Sequence, residues 1–169
     1  MLKEDGVNFA VIKPGCEEDI ALDLTPAQTV MSLALRKALD IGPKDEMVIA
    51  CDTVVVHGGR VIGKPKDEED AFAILSELNG QVHEVISGVC IIDASENLKL
   101  VFSSVTKVYF KEYTDEYIRE YIKTGEPMDK AGAYAIQGLF SENIDHIEGA
   151  YDNVVGFPYA EIKARLKEL

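Results

Sequence analysis

The sequence predicts an α/β fold, a mixed and twisted sheet flanked by helices, from three observations. Residues 47–56 are apolar on both faces of an extended chain, which is typical of a strand buried in a sheet that helices cover. Amphipathic helical patterns lie on either side of this run, at 25–41 and 67–78. Two long strand-like segments, 82–93 and 98–111, then follow as a hairpin. With 169 residues, we expect one domain spanning the whole chain.

Composition and charge narrow the functions open to this chain. The sequence is 47% hydrophobic, enough to fill a core, and its net charge of −13 argues against a general nucleic-acid-binding surface. It has no apolar run of about 20 residues that would cross a membrane, and no apolar signal-type stretch near its start. We therefore expect a cytoplasmic protein without membrane or nucleic-acid partners. Its cysteines, Cys16, Cys51 and Cys90, lack metal-ligand spacing and are expected to be reduced thiols.

The first elements along the chain are short. Residues 2–8 are predicted to end a helix that stops near Gly6, and residues 9–12 are predicted to form a strand. Residues 16–19, Cys-Glu-Glu-Asp, follow as an acidic loop. Three adjacent carboxylates are either a solvated loop or part of a site, and the spacing leaves both interpretations open.

The first long helix starts with a strong signal and carries one unexpected charge. Thr25 is a good N-cap, followed by proline at the first helical position, and the helix should run to about Ile41. Lys37 falls within the apolar face of this helix. Its ammonium either reaches solvent at an edge of the core or points inward toward Asp52 in the next strand.

Asp52 is the charged residue in the central apolar run. A buried and unpaired carboxylate costs several kcal/mol, roughly, so this residue either caps a strand end or has a catalytic or metal-binding role. Lys64 lies between a glycine and a proline on a constrained turn, beside Asp52 if the two runs pair as a hairpin. A carboxylate and an ammonium that meet at one end of a sheet suit a phosphate-bearing substrate and a divalent cation.

The second half of the chain adds two helices and several short segments. Thr114 caps a helix that Gly125 stops, and a C-terminal helix begins at Pro158. Short strands are expected at 133–136 and within 149–157. His83 is expected to be a structural or edge histidine. Gln137, at a strand end, is either a nucleobase-reading amide or a satisfied buried amide.

Five ordered motifs cover nearly the whole chain: ACDTVV at 50–55, IGKP at 62–65, HEVISGV at 83–89, DKAGAYAIQG at 129–138 and NVVGFP at 153–158. Together they resemble the Maf-like nucleoside triphosphate pyrophosphatases, once described as septum-formation proteins. The resemblance implies a fold with two lobes around a central cleft. It also implies hydrolysis of a nucleoside triphosphate between its α and β phosphates, with Mg²⁺ or Mn²⁺ as a cofactor.

The resemblance assigns roles around the phosphates by position. Asp52 matches the general base that activates the attacking water, and it also lies at the metal. Glu18 aligns with an acidic residue near the metal and phosphates, although Glu17 is one residue away. Lys37 and Lys64 match the lysines that neutralise the triphosphate.

Base choice is implied at two further positions. Thr53 and Gln137 match positions tied to the nucleobase, and the Gln137 form of the motif resembles the branch that acts on dTTP and UTP. Ser87 replaces a commoner threonine and keeps the hydroxyl.

One departure from the family pattern lies at the start of the chain. The family opens with a strand and a Ser-x-x-Arg-Arg loop that grips phosphate, and Met1 begins after that point. Without this loop we expect weak or no turnover and lowered stability. A homodimer or a swapped segment would then cover the open edge of the sheet. Alternatively, a start codon upstream of Met1 would restore the missing strand and loop. The alternative function is a catalytically impaired nucleotide-binding or regulatory homologue with a role in cell division or septum formation.

Overall fold

The computed structural model describes residues 1–16, 23–42 and 46–168, which build one sheet with helices on both faces. The helices are α1 (Pro26–Ile41), α2 (Glu68–Leu78), α3 (Asp115–Lys123), α4 (Tyr151–Val154) and α5 (Tyr159–Lys167). The strands are β1 (Val48–His57), β2 (Arg60–Ile62), β3 (Val82–Asp93), β4 (Leu98–Phe110) and β5 (Ile144–Glu148). Three 3-10 segments lie at Glu126–Asp129, Ala131–Ala133 and Leu139–Asn143. The predicted α/β class, a sheet flanked by helices, is confirmed.

The strand order is β2-β1-β3-β4-β5, and all four neighbouring pairs among the described residues are antiparallel. The sequence predicted a mixed sheet because β2, α2 and β3 follow one another as a βαβ unit does. That crossover exists, but β1 lies between β2 and β3 and runs opposite to both. The parallel strands of the unit are therefore never neighbours.

Alternation along the strands gives the sheet two different faces. One face, here called the α1 face, packs against α1 through Val54 and Val56 of β1 and through Ile86 and Cys90 of β3. The other, here called the α5 face, carries two separate apolar clusters. The first contains Val55, Val85 and Val108 with residues of α2 and α3, and the second contains Val89, Ile91 and Phe102 with Ile162 of α5.

Polar side chains separate the two clusters on the α5 face. Thr53, Ser87 and Ser104 are register partners across β1, β3 and β4, at the level where the first cluster gives way to the second. Ser87 and Ser104 are buried and Thr53 is half-buried. The core is thereby divided along this face into two parts, in keeping with a two-lobed domain.

Three short segments differ from their sequence prediction. The predicted strand at 9–12 is wrong: these residues have no strand partner among the described residues, and Val11 is 89% exposed. The predicted strand at 133–136 is wrong because Gly132 takes a left-handed backbone, φ 73°, and turns the chain at a 3-10 segment. Residues 151–154 form α4 where a strand was expected. Each run is too short for its side-chain pattern to distinguish a strand from a turn.

The N-terminal residues form turns and not the predicted helix end, and they are tied to α5. Asp5 accepts hydrogen bonds from Tyr159 at 3.0 Å and from Lys163 at 2.7 Å. No helix in the described part of the chain is both long and apolar enough to cross a membrane.

Candidate active site

The central pair of the site is Lys37 and Asp52. The Lys37 Nζ lies 2.6 Å from the Asp52 Oδ1, and these side chains are only 16% and 12% exposed. Asp52 is in the middle of β1 and not at its end, so the strand-capping interpretation is wrong. The inward orientation of Lys37 toward Asp52 is confirmed. The pair satisfies a carboxylate that would otherwise lie unpaired in a largely apolar strand.

The approach of α1 to the sheet depends on Gly88, the register partner of Asp52. A Cβ on Gly88 would overlap the backbone of Val30 and Met31 in α1, so only glycine fits there. Lys37 follows Val30 by two helical turns on the same face. Close packing of α1 at Gly88 therefore brings the Lys37 ammonium within reach of Asp52.

Replacing this glycine is expected to move the helix. Gly88→Ala should lower the free energy of unfolding by about 1–3 kcal/mol, because overpacking forces the backbone of α1 away from the sheet. The measurement is urea denaturation followed by circular dichroism. Gly63→Ala is the control, since nothing lies within 4 Å of a Cβ there and no positive φ constrains it. Equal stability of the two variants would contradict the close-packing role.

The outer side of β1 near Asp52 has no strand beside it in the described residues. β2 pairs with β1 only at Val55, Val56 and His57, so Asp52 and Thr53 lie beyond the end of β2. Asp52 points to the α1 face, and Thr53 points to the α5 face. A ligand that lies across this edge of β1 can reach both side chains, which a ligand on one face of the sheet could not.

Lys64 follows β2 by two residues and is exposed. Because β2 runs antiparallel to β1 with Ile62 opposite Val55, the chain leaves β2 in the direction of Thr53 and Asp52. Among the described residues no hydrogen bond or ion pair joins Lys64 to Asp52, and their closeness stays a prediction. The Lys64 charge acts on Asp129: the hydrogen bond from Lys130 lowers the pKa of Asp129, and Lys64 adds to that shift. The Gly132 N–H donates to the Gly63 carbonyl at 3.1 Å and joins the two motifs.

Thr53 begins a buried polar network on the α5 face. Its Oγ1 is 2.8 Å from the Ser87 Oγ, and Ser87 donates to the Asn153 carbonyl oxygen at 3.2 Å. The Asn153 amide donates to the Val85 carbonyl and to the Thr106 Oγ1, both at 3.0 Å. Ser87 and Asn153 are fully buried. Asn153 was not singled out from the sequence, although it begins the last of the five motifs.

Gln137 is exposed, so the interpretation as a satisfied buried amide is wrong. The loop that carries it is held by Glu126, whose carboxylate accepts the Leu139 N–H at 3.1 and 3.2 Å and the Tyr121 hydroxyl at 2.8 Å. A Cβ on Gly138 would overlap that carboxylate. Sequence reasoning missed Glu126, because nothing local shows that it folds back on a loop 13 residues away.

Two titratable groups near the strands have structural roles. Burial, followed by the nearby Asp52 charge, raises the pKa of the Cys51 thiol to about 12, so this cysteine stays protonated. His83 is buried with its Nε2 2.8 Å from the Tyr134 hydroxyl, and burial lowers its pKa to about 3. The structural interpretation of His83 is confirmed.

The lowered pKa of His83 predicts a specific pH dependence of stability. The unfolded chain binds a proton at His83 below pH 6.5 and the folded chain does not until about pH 3, so stability should fall as pH drops through this window. His83→Gln should weaken that fall relative to the unmodified protein, as measured by urea midpoints between about pH 7 and 4. An unchanged slope in His83→Gln would contradict this origin of the pH dependence.

A metal site is only partly defined by the described residues, which contain no cluster of three or more His, Cys, Asp or Glu side chains. Glu18, the second carboxylate assigned to the metal, lies outside the described residues. Asp52 contributes one carboxylate, and Mg²⁺ is commonly held by one or two carboxylates together with substrate phosphates. A single carboxylate such as Asp52 is compatible with that mode of Mg²⁺ binding.

Comparison with known proteins gives a consistent result. The family described as "Maf-like protein" matches residues 1–169. A relative from Caldicellulosiruptor saccharolyticus, named dTTP/UTP pyrophosphatase, is 42% identical and aligns with 100% of this chain and 88% of its own length. Relatives with the same name from Pelotomaculum thermopropionicum and Clostridium beijerinckii are 44% and 48% identical, over 99% and 83% of this chain and 89% and 76% of their own lengths. The chain belongs to the Maf-like family.

Proposed function

We propose that this protein hydrolyses dTTP and UTP between the α and β phosphates, releasing the nucleoside monophosphate and pyrophosphate. The observation that carries the proposal is the Lys37–Asp52 pair at the open edge of β1. The names of the relatives, dTTP/UTP pyrophosphatase, support the substrate and the reaction.

In this proposal Asp52 is the residue that accepts the proton. Water attacks phosphorus as the phosphoanhydride bond breaks, and the Asp52 carboxylate accepts the proton that the water loses. Lys37 holds the carboxylate in one position before substrate arrives. Triphosphate oxygens then compete with Asp52 for the Lys37 ammonium, which leaves the carboxylate free to face the water.

Charge balance at this site favours a divalent cation. The chain carries a net charge of −13 and the substrate adds further negative charge, while Lys37 and Lys64 supply two cations near the edge of β1. We propose Mg²⁺ or Mn²⁺, held by Asp52 and Glu18 together with the phosphates. Such a cation neutralises the charge that develops on the phosphate oxygens. Loss of turnover with a chelator, restored by added Mg²⁺ or Mn²⁺, is the expected result.

Base choice is assigned to Thr53 and Gln137. Thr53 lies on the same open edge as Asp52, and Gln137 is an exposed amide on the loop held by Glu126. An amide both donates and accepts hydrogen bonds, as does the edge of uracil or thymine. Gln137→Ala should change the ratio of pyrimidine to purine turnover, and a uniform loss on all bases would contradict base reading.

The direct test is a nucleotide panel of dTTP, UTP, CTP, dGTP and ATP with Mg²⁺ or Mn²⁺. Pyrophosphate and orthophosphate are measured separately, so cleavage between α and β is distinguished from loss of the terminal phosphate. We expect pyrophosphate from dTTP and UTP first. Orthophosphate alone would contradict the reaction, and tight nucleotide binding without turnover would favour the regulatory alternative.

The remaining expectations concern location and assembly. We propose a cytoplasmic protein, which agrees with three free cysteines, Cys16, Cys51 and Cys90. We also propose that residues 1–169 unfold as one domain and that the chain can form a homodimer. Light scattering and a single cooperative unfolding transition would check these two statements.

A further inference from the structure

The hydrogen bonds around Ser87 fix the direction in which each hydroxyl points its proton. Ser87 is fully buried and has one O–H to donate. The Asn153 carbonyl oxygen, 3.2 Å away, can only accept, and its other lone pair takes the Gly156 N–H at 2.9 Å. The bond between Ser87 and Asn153 therefore uses the Ser87 proton.

The Thr53 hydroxyl must then be the donor in its own bond to Ser87. The two oxygens are 2.8 Å apart, and Ser87 has no second proton for that contact. If Ser87 pointed its proton at Thr53 instead, the bond to the Asn153 carbonyl would be lost, and one hydrogen bond fewer would form in a buried place. Both bonds form together only when Thr53 donates to Ser87 and Ser87 donates to the Asn153 carbonyl oxygen. This sequence of donors is here called the proton order.

Thr53 is half-buried, and its hydroxyl proton is donated to Ser87. Its Oγ1 can therefore only accept a hydrogen bond from a ligand. Gly156 leaves room beside it: a Cβ on Gly156 would lie 3.4 Å from the Thr53 Oγ1, in the space next to the hydroxyl oxygen. The backbone of Gly156 has φ 99°, a conformation that favours glycine. A ligand group that reaches the Thr53 oxygen must bring its own proton.

We infer that Thr53 acts as a hydroxyl that only accepts, and that it selects bases with an imide N–H, uracil and thymine, against cytosine. Uracil and thymine carry a proton on N3, whereas N3 of cytosine is an acceptor and would face the Thr53 lone pairs without a bond. This inference rests on the proposed function, since it assumes that the base lies at the edge of β1. Ser87 and Asn153 then act as positioning residues for the Thr53 proton.

The first arm of the test uses the protein without substitution and three substrates, UTP, CTP and N3-methyl-UTP. We expect kcat/KM to be far higher for UTP than for CTP. The value for N3-methyl-UTP should be as low as that for CTP, because methylation removes the only imide proton. Good turnover of N3-methyl-UTP would overturn the inference. It would indicate that a sugar hydroxyl or water donates to Thr53.

The second arm uses variants that change the proton order. Ser87→Ala frees the Thr53 proton to point outward, so the ratio of CTP to UTP in kcat/KM should rise by roughly tenfold, about the worth of one hydrogen bond. Ser87→Thr keeps the hydroxyl and should keep the original ratio. Ser104→Ala is the matched control, a buried serine that is the register partner of Ser87 on β4. An equal fall for CTP and UTP in Ser87→Ala would show a merely structural role and overturn the inference.

Failure of the proposed reaction can be distinguished from failure of the inference about Thr53. If no triphosphate yields pyrophosphate, the proposed reaction is wrong, and Kd values for α,β-imido analogues of UTP and CTP then decide the inference. A preference for the uracil analogue that Ser87→Ala weakens would support it. Absent or equal binding of the two analogues would overturn it.

Discussion

Asp52→Asn is expected to lower kcat for dTTP by roughly 10²–10⁴-fold with little change in nucleotide binding. The amide has the shape of the carboxylate, and its oxygen can still accept from the Lys37 ammonium, so the packing of α1 on β1 should persist. The substitution removes the capacity to accept a proton from water, and a positioned general base contributes a factor of about that size. Because Asp52 is also proposed to hold the cation, Mg²⁺ is supplied in excess so that weaker cation binding does not limit turnover. The measurement is kcat and KM from pyrophosphate release.

A matched control for Asp52→Asn exists elsewhere in the chain. Asp5 forms a similar carboxylate–ammonium pair with Lys163, at 2.7 Å, but on the surface. Asp5→Asn makes the same chemical change away from β1 and should leave kcat within about twofold, since a surface pair contributes little. Turnover of Asp52→Asn that matches Asp5→Asn would return Asp52 to a structural role.

Lys37→Met is expected to affect both stability and substrate binding. It leaves the Asp52 carboxylate, 12% exposed, without the ammonium that it contacts. Breaking a buried pair costs roughly 3–5 kcal/mol when burial is complete, and the residual exposure here should make the loss in unfolding free energy smaller. The KM for a triphosphate should also rise more than the Kd for the monophosphate product, because the lost cation faces phosphate charge.

Two comparisons separate these effects of Lys37. The double variant Lys37→Met with Asp52→Asn removes both charges, so it should recover part of the lost stability without recovering turnover. Lys64→Ala removes an exposed cation on the same edge and should raise KM with no cost in stability. Equal, small changes for triphosphate and monophosphate in both lysine variants would contradict a phosphate-binding role.

The sequence by itself determined the elements whose signals are local. Thr25 caps α1 in a box with Gln28, as the Thr-Pro start predicts, and Asp67 and Thr114 cap α2 and α3. The β3–β4 hairpin follows from two long strand-like runs joined by a short polar turn. These features depend on residues within a few positions of each other, so one stretch of sequence contains the whole physical cause.

The tertiary structure alone decided the features that join distant residues. The inward turn of Lys37 depends on Gly88 letting α1 approach the sheet, and the sequence left that orientation open. The proton order at Thr53 needs Ser87 and Asn153, which are 34 and 100 positions further along the chain. Their register across strands and helices places three hydroxyl and carbonyl groups within hydrogen-bonding distance. Spacing along a chain carries no record of such contacts, because they are set by which strands pair and how closely helices pack on them.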